Sequence, residues 1–265
     1  MPGGEFTSVI IALLIGLMAG ILGAILGLGG GIIILPAVQI LLHYNPLLMV
    51  GTTMMAIVFT SASGAWGHFR QDHVLVREGL MVGTGGLLGI ALGSFIFKQY
   101  LTSDTDIIFT LLGMLFLIMT FKMGQEAWRE FHAPPDEAVV SGKAALSGRA
   151  QRVGLFILGT VTGVLSGVLG IGGGFLLVPG MIWIAGISPH RAVGTTLLAM
   201  LPIALVGTVI KAVQGFVDIP GGLMLGVGAA VGAQLGVYLS RFIPSRIMKL
   251  LFALFFFLLA IQYLL

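Results

Sequence analysis

The chain contains no cysteine and few charged residues, and both shortages restrict what it can be. Without a thiol it has no disulfide, no thiolate-bound zinc, no iron-sulfur cluster and no cysteine nucleophile. Asp, Glu, Lys and Arg together make up only 9% of the residues, whereas an ordinary soluble domain has about 25%. Hydrophobic residues make up 57%, and the mean hydropathy is +1.10. The sequence therefore predicts an integral membrane protein.

Acidic residues are missing from the middle of every predicted membrane span. Apolar stretches of about 18 residues or more can cross a bilayer core of roughly 30 Å. Such stretches occupy residues 7–27, 46–67, 79–97, 153–170, 189–213, 220–239 and 246–265, with a somewhat shorter one at 107–121. Cation carriers and carboxylate proton relays usually place an acidic side chain inside a span. The pattern therefore favours an anionic substrate over a cation.

The second half of the chain repeats the first half 143 residues later without a gap. The sequence predicts a first membrane repeat at 1–123, a polar linker at 124–152 and a second membrane repeat at 153–265. In membrane proteins, duplication of this kind is typical of transporters whose substrate site lies where the repeats meet. The matched positions include Gly27, Gly29, Gly30, Gly31, Pro36, Pro46, Gly51, Thr52 and Thr53, which correspond to Gly170, Gly172, Gly173, Gly174, Pro179, Pro189, Gly194, Thr195 and Thr196.

Two short apolar runs decide how the repeats are related. Residues 32–44 and 175–187 each follow a triple glycine and hold a proline, Pro36 or Pro179. Thirteen helical residues rise only about 20 Å, too little to cross alone, so these runs are predicted to be broken or half-membrane helices that face protein or a wet cavity. Both prolines are predicted hinges.

The distribution of Lys and Arg tests the two possible topologies. With five segments in each half the repeats are inverted, and eleven of the thirteen basic residues lie on one side. With four segments the repeats are parallel, and the division is eight against five. The positive-inside rule favours the inverted arrangement, with the linker in the cytoplasm. The predicted fold is thus an all-α polytopic membrane protein with two inverted repeats of about five transmembrane or half-membrane segments each.

The triple glycines are the first candidate substrate site. Consecutive glycines expose backbone N–H groups, and the helix that follows presents its positive end to the same place. Two such ends meeting near the membrane midplane would bind an anion, although glycines also permit close helix packing. The spacing does not fit a P-loop or a dinucleotide fingerprint, so no nucleotide cofactor is expected. The residues are Gly29, Gly30, Gly31, Gly172, Gly173 and Gly174.

Polar residues in the long apolar segments are the remaining candidates. Threonine hydroxyls bond either to the preceding helical turn or to a substrate oxyanion. A histidine and a lysine occupy equivalent positions three residues before paired glutamines, and either donate to the anion or cap and snorkel at a helix end. These candidates are Thr52, Thr53, Thr195, Thr196, His68, Lys211, Gln71 and Gln214.

Catalytic and metal-binding patterns are lacking. No HExxH spacing and no nucleophile-base pair occurs in the spans, so the chain is expected not to be an enzyme and to need no metal or other cofactor. The basic residues are explained by membrane orientation and not by nucleic acid. The expected partners are the lipid bilayer and a small anion, with a homo-oligomer possible. An anion channel and a non-transporting assembly or sensor subunit remain as alternatives.

The paired G-x-G-G-G-xxxx-P segments, each followed by P-xxx-V-G-T-T, resemble the sulfite exporter TauE/SafE family of membrane permeases. The resemblance covers nearly the whole chain. It implies a transporter of the bacterial inner membrane for sulfite, sulfoacetate or a related sulfonate. The family often places glycine four residues after a basic residue or histidine at the end of the third segment. Lys211 keeps this glycine as Gly215, whereas His68 is followed by Asp72.

Overall fold

The computed structural model describes residues 2–100, 117–118, 120–122, 124–125, 128–129 and 148–264, and within these ranges it contains helices and no β-strand. The all-α prediction is confirmed. Most of the predicted span at 107–121 and most of the linker lie outside the described residues. The helices are α1 Pro2–Leu26, α2 Gly31–Leu42, α3 Pro46–Phe69, α4 Val76–Tyr100, α5 Gly148–Leu169, α6 Gly174–Ala185, α7 Pro189–Val213, α8 Ile219–Ser240 and α9 Ser245–Leu264.

Six of the described helices are long and apolar enough to cross a membrane. Their apolar stretches are Thr7–Leu26, Leu47–Phe69, Val76–Gln99, Gly148–Leu169, Pro189–Val213 and Ile219–Ser240. In α9 the apolar stretch is shorter, Ile247–Leu258. Helix α5 begins inside the predicted linker, because basic residues at Arg149 and Arg152 extend it beyond its apolar part, as is usual at a membrane surface.

The two short apolar runs form the 12-residue helices α2 and α6. Each is about 18 Å long at 1.5 Å per residue, which is shorter than a bilayer core. Pro36 and Pro179 lie inside these helices at equivalent positions. The prediction of two interrupted segments thus has a structural counterpart in each half.

Glycine stripes join the two halves. Gly85 and Gly93 on α4 lie against the backbone of Phe156 and Val164 on α5, so these helices run parallel. Because α4 belongs to the first half and α5 to the second, this is a contact between halves. Helices α1 and α8 make the same contact 143 residues away, where Gly228 and Gly236 lie against Leu13 and Ile21. Small residues permit such close backbone approach.

Helices α3 and α7 occupy the centre and run antiparallel. Gly51 near the start of α3 approaches the carbonyl of Phe216 after α7, and Gly194 near the start of α7 approaches the carbonyl of His73 after α3. Helix α8 runs parallel to α3, and α4 runs parallel to α7. Equivalent helices of the two halves therefore point in opposite directions.

These directions collect arginine residues at one end of the bundle, which we call the arginine end. The C-termini of α3 and α8 and the N-termini of α4, α5 and α7 lie there. They carry Arg70, Arg77, Arg149, Arg152, Arg191 and Arg241. The opposite end, with Lys98 and Lys211 near the C-termini of α4 and α7, is called the lysine end.

Candidate functional site

The two glycine interruptions meet in the middle of the bundle. A Cβ added to Gly31 would lie 2.6 Å from the carbonyl oxygen of Ile171, and one added to Gly174 would lie 2.7 Å from the Cα of Leu28 and against the carbonyl of Gly27. Each interruption therefore fills the space that a side chain on the other would need. The glycine sequence is required at this contact because the two backbones touch there.

Both short helices begin at this meeting point. Gly30 and Gly173 are their N-caps and have left-handed φ values of 77° and 73°, which strain residues that carry a Cβ. Because both N-cap residues are glycines, neither supplies a side-chain acceptor to the first turn. The first N–H groups of a helix have no acceptor within it, and the helix dipole adds partial positive charge there. The arrangement can therefore offer amide donors to an anion from both halves.

Two apolar side chains separate the interruptions from the rest of the core. Ile57 and Met200 lie at equivalent positions in the middle of α3 and α7 and are fully buried. A Cβ on Gly29 would lie 2.5 Å from the Met200 Cε and 3.1 Å from the Ile57 Cγ2, and Gly172 approaches the same two side chains. Ile57 and Met200 thus pack over both interruptions together. Although they are equivalent at a spacing of 143, no sequence pattern distinguishes them from the other apolar residues of these helices.

Thr52 and Thr195 bind loops of the opposite half. The Thr52 hydroxyl accepts from the backbone N–H of Asp218 at 3.0 Å, and the Thr195 hydroxyl accepts from that of Leu75 at 3.0 Å. Thr195 also donates to the Arg191 carbonyl. Leu75 and Asp218 are themselves equivalent positions. These two hydroxyls therefore fasten each central helix to the other half's loop.

Thr53 and Thr196 are also fully buried but make different contacts. The Thr196 hydroxyl faces the Met181 sulfur at 3.7 Å. The Thr53 hydroxyl has no hydrogen-bond partner among the described residues. Of the four threonines, Thr53 is thus the one whose hydroxyl makes no hydrogen bond within that part of the chain.

His68 and Lys211 lie at opposite ends of the bundle, and both are fully buried. The His68 Nε2 lies 3.0 Å from the Ala24 carbonyl and must donate its proton there, because a carbonyl only accepts. The Lys211 ammonium lies 3.1 Å from the centre of the Phe97 ring and has no hydrogen-bond partner in the described ranges. Neither lies at the contact between the glycine interruptions.

Gln71 and Gln214 follow these residues at the helix ends. The Gln71 amide donates to the Val237 carbonyl at 3.2 Å. The side-chain oxygens of both glutamines are buried without a partner in the described chain. Asp72 and Gly215, which come next, both adopt left-handed backbone, with φ of 57° and 78°. Aspartate tolerates this conformation better than most residues, so the same turn forms in both halves despite the sequence difference.

Three buried hydroxyls near the second interruption were missed by the sequence reasoning. Thr162 packs against Gly173, and Ser166 lies one turn further along α5. Like Ser94 on α4, both have hydroxyls with no partner in the described ranges. The first half has Ala19 and Gly23 where Thr162 and Ser166 stand, so this polar lining is confined to one interruption. Comparing the repeats for differences would have exposed it.

Comparison with known proteins identifies the family. The family model for the sulfite exporter TauE/SafE matches residues 12–263. The chain belongs to the sulfite exporter TauE/SafE family. Similar proteins include the "Probable membrane transporter protein YdhB" of Bacillus subtilis, 30% identical over 84% of this chain and 86% of that protein. The "Probable membrane transporter protein" of Xylella fastidiosa is 30% identical over 83% and 81%.

YunE of Bacillus subtilis, also named a probable membrane transporter protein, is 25% identical over 90% of this chain and 91% of its own length. No solved structure matches the chain significantly. Membership of the TauE/SafE family makes the chain an integral membrane transporter and confirms the expectation that it is not an enzyme. Within the described residues, no group of three His, Asp or Glu side chains is placed to hold a metal.

Proposed function

We propose that the protein carries a small sulfur-containing oxyanion, such as sulfite, sulfoacetate or a related sulfonate, across the bacterial inner membrane. The cargo passes between the halves at the paired glycine interruptions. The observation that carries the proposal is the meeting of two helix N-termini with glycine at the N-cap, one from each half, in a bundle whose described spans hold no central carboxylate. Such termini favour negative charge.

The mechanism is alternating access between inverted repeats. The antiparallel course of α3 and α7 and the recurrence of each helix contact 143 residues later support this arrangement. Ile57 and Met200 pack over both interruptions and act as a shared apolar barrier that moves when one bundle shifts against the other. Pro36 and Pro179 lack an N–H for the helix ladder and serve as hinges in α2 and α6. The arginine end faces the cytoplasm, in line with the positive-inside rule.

Sulfite flux in proteoliposomes tests the proposal directly. Vesicles containing the protein are expected to release trapped sulfite saturably, with stimulation by an anion on the other side, whereas empty vesicles do not. Saturation and counter-anion stimulation identify a carrier, and a linear concentration dependence indicates a channel. Stabilisation of purified protein by sulfite, sulfate, thiosulfate, sulfoacetate and taurine ranks the ligands, because a ligand that binds only the folded state raises its unfolding temperature.

Alanine substitutions at the interruptions test the site. Gly31→Ala and Gly174→Ala place a Cβ within 2.9 Å of the opposite interruption and of Ile57 or Met200, and each is expected to abolish most sulfite flux. Gly83→Ala is the matched control, because its Cβ would lie 3.6 Å or more from its neighbours.

Size-exclusion chromatography and sulfite-free unfolding temperatures verify that the variants remain folded. Full flux in both folded interruption variants contradicts the site. Absence of flux from the wild-type protein for every anion tested contradicts the proposed function itself.

A further inference from the structure

A polar cavity of about 520 Å³ opens at the arginine end between the two halves. It lies where the loop after α3 meets the start of α7 and the end of α8. It is separate from the glycine interruptions in the middle of the bundle. Its lining residues are Gln71, Asp72, His73, Ser188, His190, Arg191 and Arg241.

Two guanidinium groups, from Arg191 and Arg241, outnumber the single carboxylate of Asp72 in this lining. His73 and His190 add two imidazoles, whose ring N–H groups can donate hydrogen bonds. The Arg241 guanidinium is held 3.7 Å from the centre of the Tyr238 ring. Guanidinium groups bind oxyanions through two parallel hydrogen bonds. The cavity therefore has ample room for a small hydrated oxyanion and carries guanidinium groups that can bind it.

Three imidazoles form a row leading inward from the cavity. The ring centres of His190 and His73 are 5.4 Å apart, and those of His73 and the fully buried His68 are 5.9 Å apart. The His190 Nε2 donates to the Ile243 carbonyl at 2.9 Å, which fixes that ring. The Nδ1 atoms of His68 and His73 are buried without a partner in the described chain. The two nitrogens therefore keep hydrogen-bonding capacity that the described chain does not use.

The corresponding positions at the lysine end do not form such a lining. Positions equivalent to Ser188, His190, Arg191 and His73 hold Asn45, Leu47, Leu48 and Phe216, whereas Arg241 corresponds to another cation, Lys98. The repeated fold therefore does not need Arg191 or the two histidines. The positive-inside rule does not explain their convergence either, because Arg70, Arg77, Arg149 and Arg152 lie at the same end outside this cavity.

We infer that this cavity is a loading site for a small doubly charged oxyanion and that it exists at the arginine end only. The inference rests on the proposed function and extends it, because it gives the transporter a preferred face for binding its cargo. Anions enter between Arg191 and the imidazoles before they reach the central interruptions. A one-sided loading site is what an exporter needs on the face from which it collects its cargo.

Cysteine labelling tests the loading site without measuring transport. The natural chain has no cysteine, so a Ser188→Cys variant carries one thiol in the cavity, at a position whose side chain makes no capping bond. Sulfate is the probe, because sulfite itself reacts with maleimides. Sulfate is expected to slow maleimide labelling in this variant. In Asn45→Cys, the matched position at the lysine end, it is expected to have no effect.

Replacement of Arg191 by leucine supplies the specific comparison, because Leu48 occupies the equivalent position in the first half. Adding Arg191→Leu to Ser188→Cys is expected to raise the protective sulfate concentration about tenfold or more, the loss expected for one charge-assisted hydrogen bond. Arg70→Gln, outside the cavity, is the control for surface charge and is expected to preserve protection.

The outcomes separate this inference from the proposed function. Failure of sulfate to protect Ser188→Cys, or equal protection with and without Arg191, overturns the loading site even when sulfite flux is observed. Sulfate protection that depends on Arg191 supports the loading site even if sulfite flux is absent. In that case only the proposed substrate is contradicted.

Discussion

Among individual residues, the pairs that lie 143 positions apart show which features of the site a sequence repeat reveals and which it does not. The paired triple glycines were predicted as the central feature, and the structure brings them into contact. Thr52 and Thr195 were singled out by the same repeat, yet their hydroxyls hold loops of the opposite half. A repeat marks positions that matter in both halves, but it does not distinguish a substrate contact from a contact between the halves.

His73 provides a prediction for pH. Burial lowers the pKa of His73, and neighbouring His190 and Arg191 lower it further, whereas Asp72 opposes the shift. The folded state therefore binds this proton less readily than the unfolded state, whose pKa is about 6.5. The contribution of His73 to stability is present above that pH and is lost as the pH falls through it.

The test compares thermal unfolding of the wild-type protein and His73→Gln between about pH 8 and pH 5. The unfolding temperature of the wild type is expected to fall more steeply on acidification than that of the variant. Sulfate is expected to reduce the fall in the wild type, because a bound anion favours the protonated imidazole. Identical slopes in the two proteins would show that His73 does not carry this dependence.

For the helices, apolar length and repeated glycines were sufficient signals. The sequence predicts spans at 46–67 and 189–213, and the structure has apolar helical stretches at Leu47–Phe69 and Pro189–Val213. The partners of each helix were beyond prediction, because packing of α1 on α8 and of α4 on α5 joins segments far apart in sequence. Ile57 and Met200 were missed for the same reason, since a buried apolar residue has no distinctive pattern until its neighbours are known.

The two glycine stripes predict that α4 and α8 are equally sensitive to a methyl group added at the stripe. A Cβ on Gly89 would meet the Val164 amide nitrogen at 2.8 Å, and one on its equivalent Gly232 would meet the Ile21 amide nitrogen at 3.0 Å. Gly89→Ala and Gly232→Ala are each expected to lower the free energy of unfolding by about 1–3 kcal/mol through overpacking. Gly83→Ala, which has room, is expected to stay within about 0.5 kcal/mol of the wild type. Reversible denaturation in detergent measures all three.

A clear difference between Gly89→Ala and Gly232→Ala would mean that the two contacts between halves are not energetically equivalent. Similar values would support a symmetric pair of interfaces about which the bundles move. The Gly83→Ala value decides whether the losses reflect the close backbone contact or the general effect of changing glycine in a helix.

Across the entire molecule, the two ends differ although the fold repeats. The arginine end has the cationic cavity, whereas at the lysine end Tyr44 donates a hydrogen bond to Asp218 across the halves. Burial and this bond raise the pKa of Tyr44, so the phenol keeps its proton and remains a donor. The equivalent positions are Ile187 and Leu75, which cannot form such a bond. The lysine end therefore has a side-chain hydrogen bond between the halves that the equivalent residues at the arginine end cannot make.

Removal of the Tyr44–Asp218 hydrogen bond tests whether the two ends of the bundle are coupled. Tyr44→Phe deletes the hydroxyl and keeps the ring, and the lost bond contributes about 1 kcal/mol after allowance for its partial exposure. If the halves exchange between two arrangements, this shifts their ratio about fivefold towards the one that is open at the lysine end. Maleimide labelling of Asn45→Cys is then expected to become faster and that of Ser188→Cys slower. Tyr238→Phe, which keeps the ring beside Arg241, is the control.

If the two ends of the bundle are coupled, the two labelling rates change in opposite directions. Local loosening around Tyr44 would accelerate labelling of Asn45→Cys alone, because nothing then connects it to the cavity at the arginine end. Opposite changes require a movement that spans the bundle. Asn45 and Ser188 precede the N-termini of two antiparallel helices and therefore lie at opposite ends of the bundle. Unchanged labelling at Ser188→Cys would therefore mean that the Tyr44–Asp218 bond has only a local role and gives no evidence for alternating access.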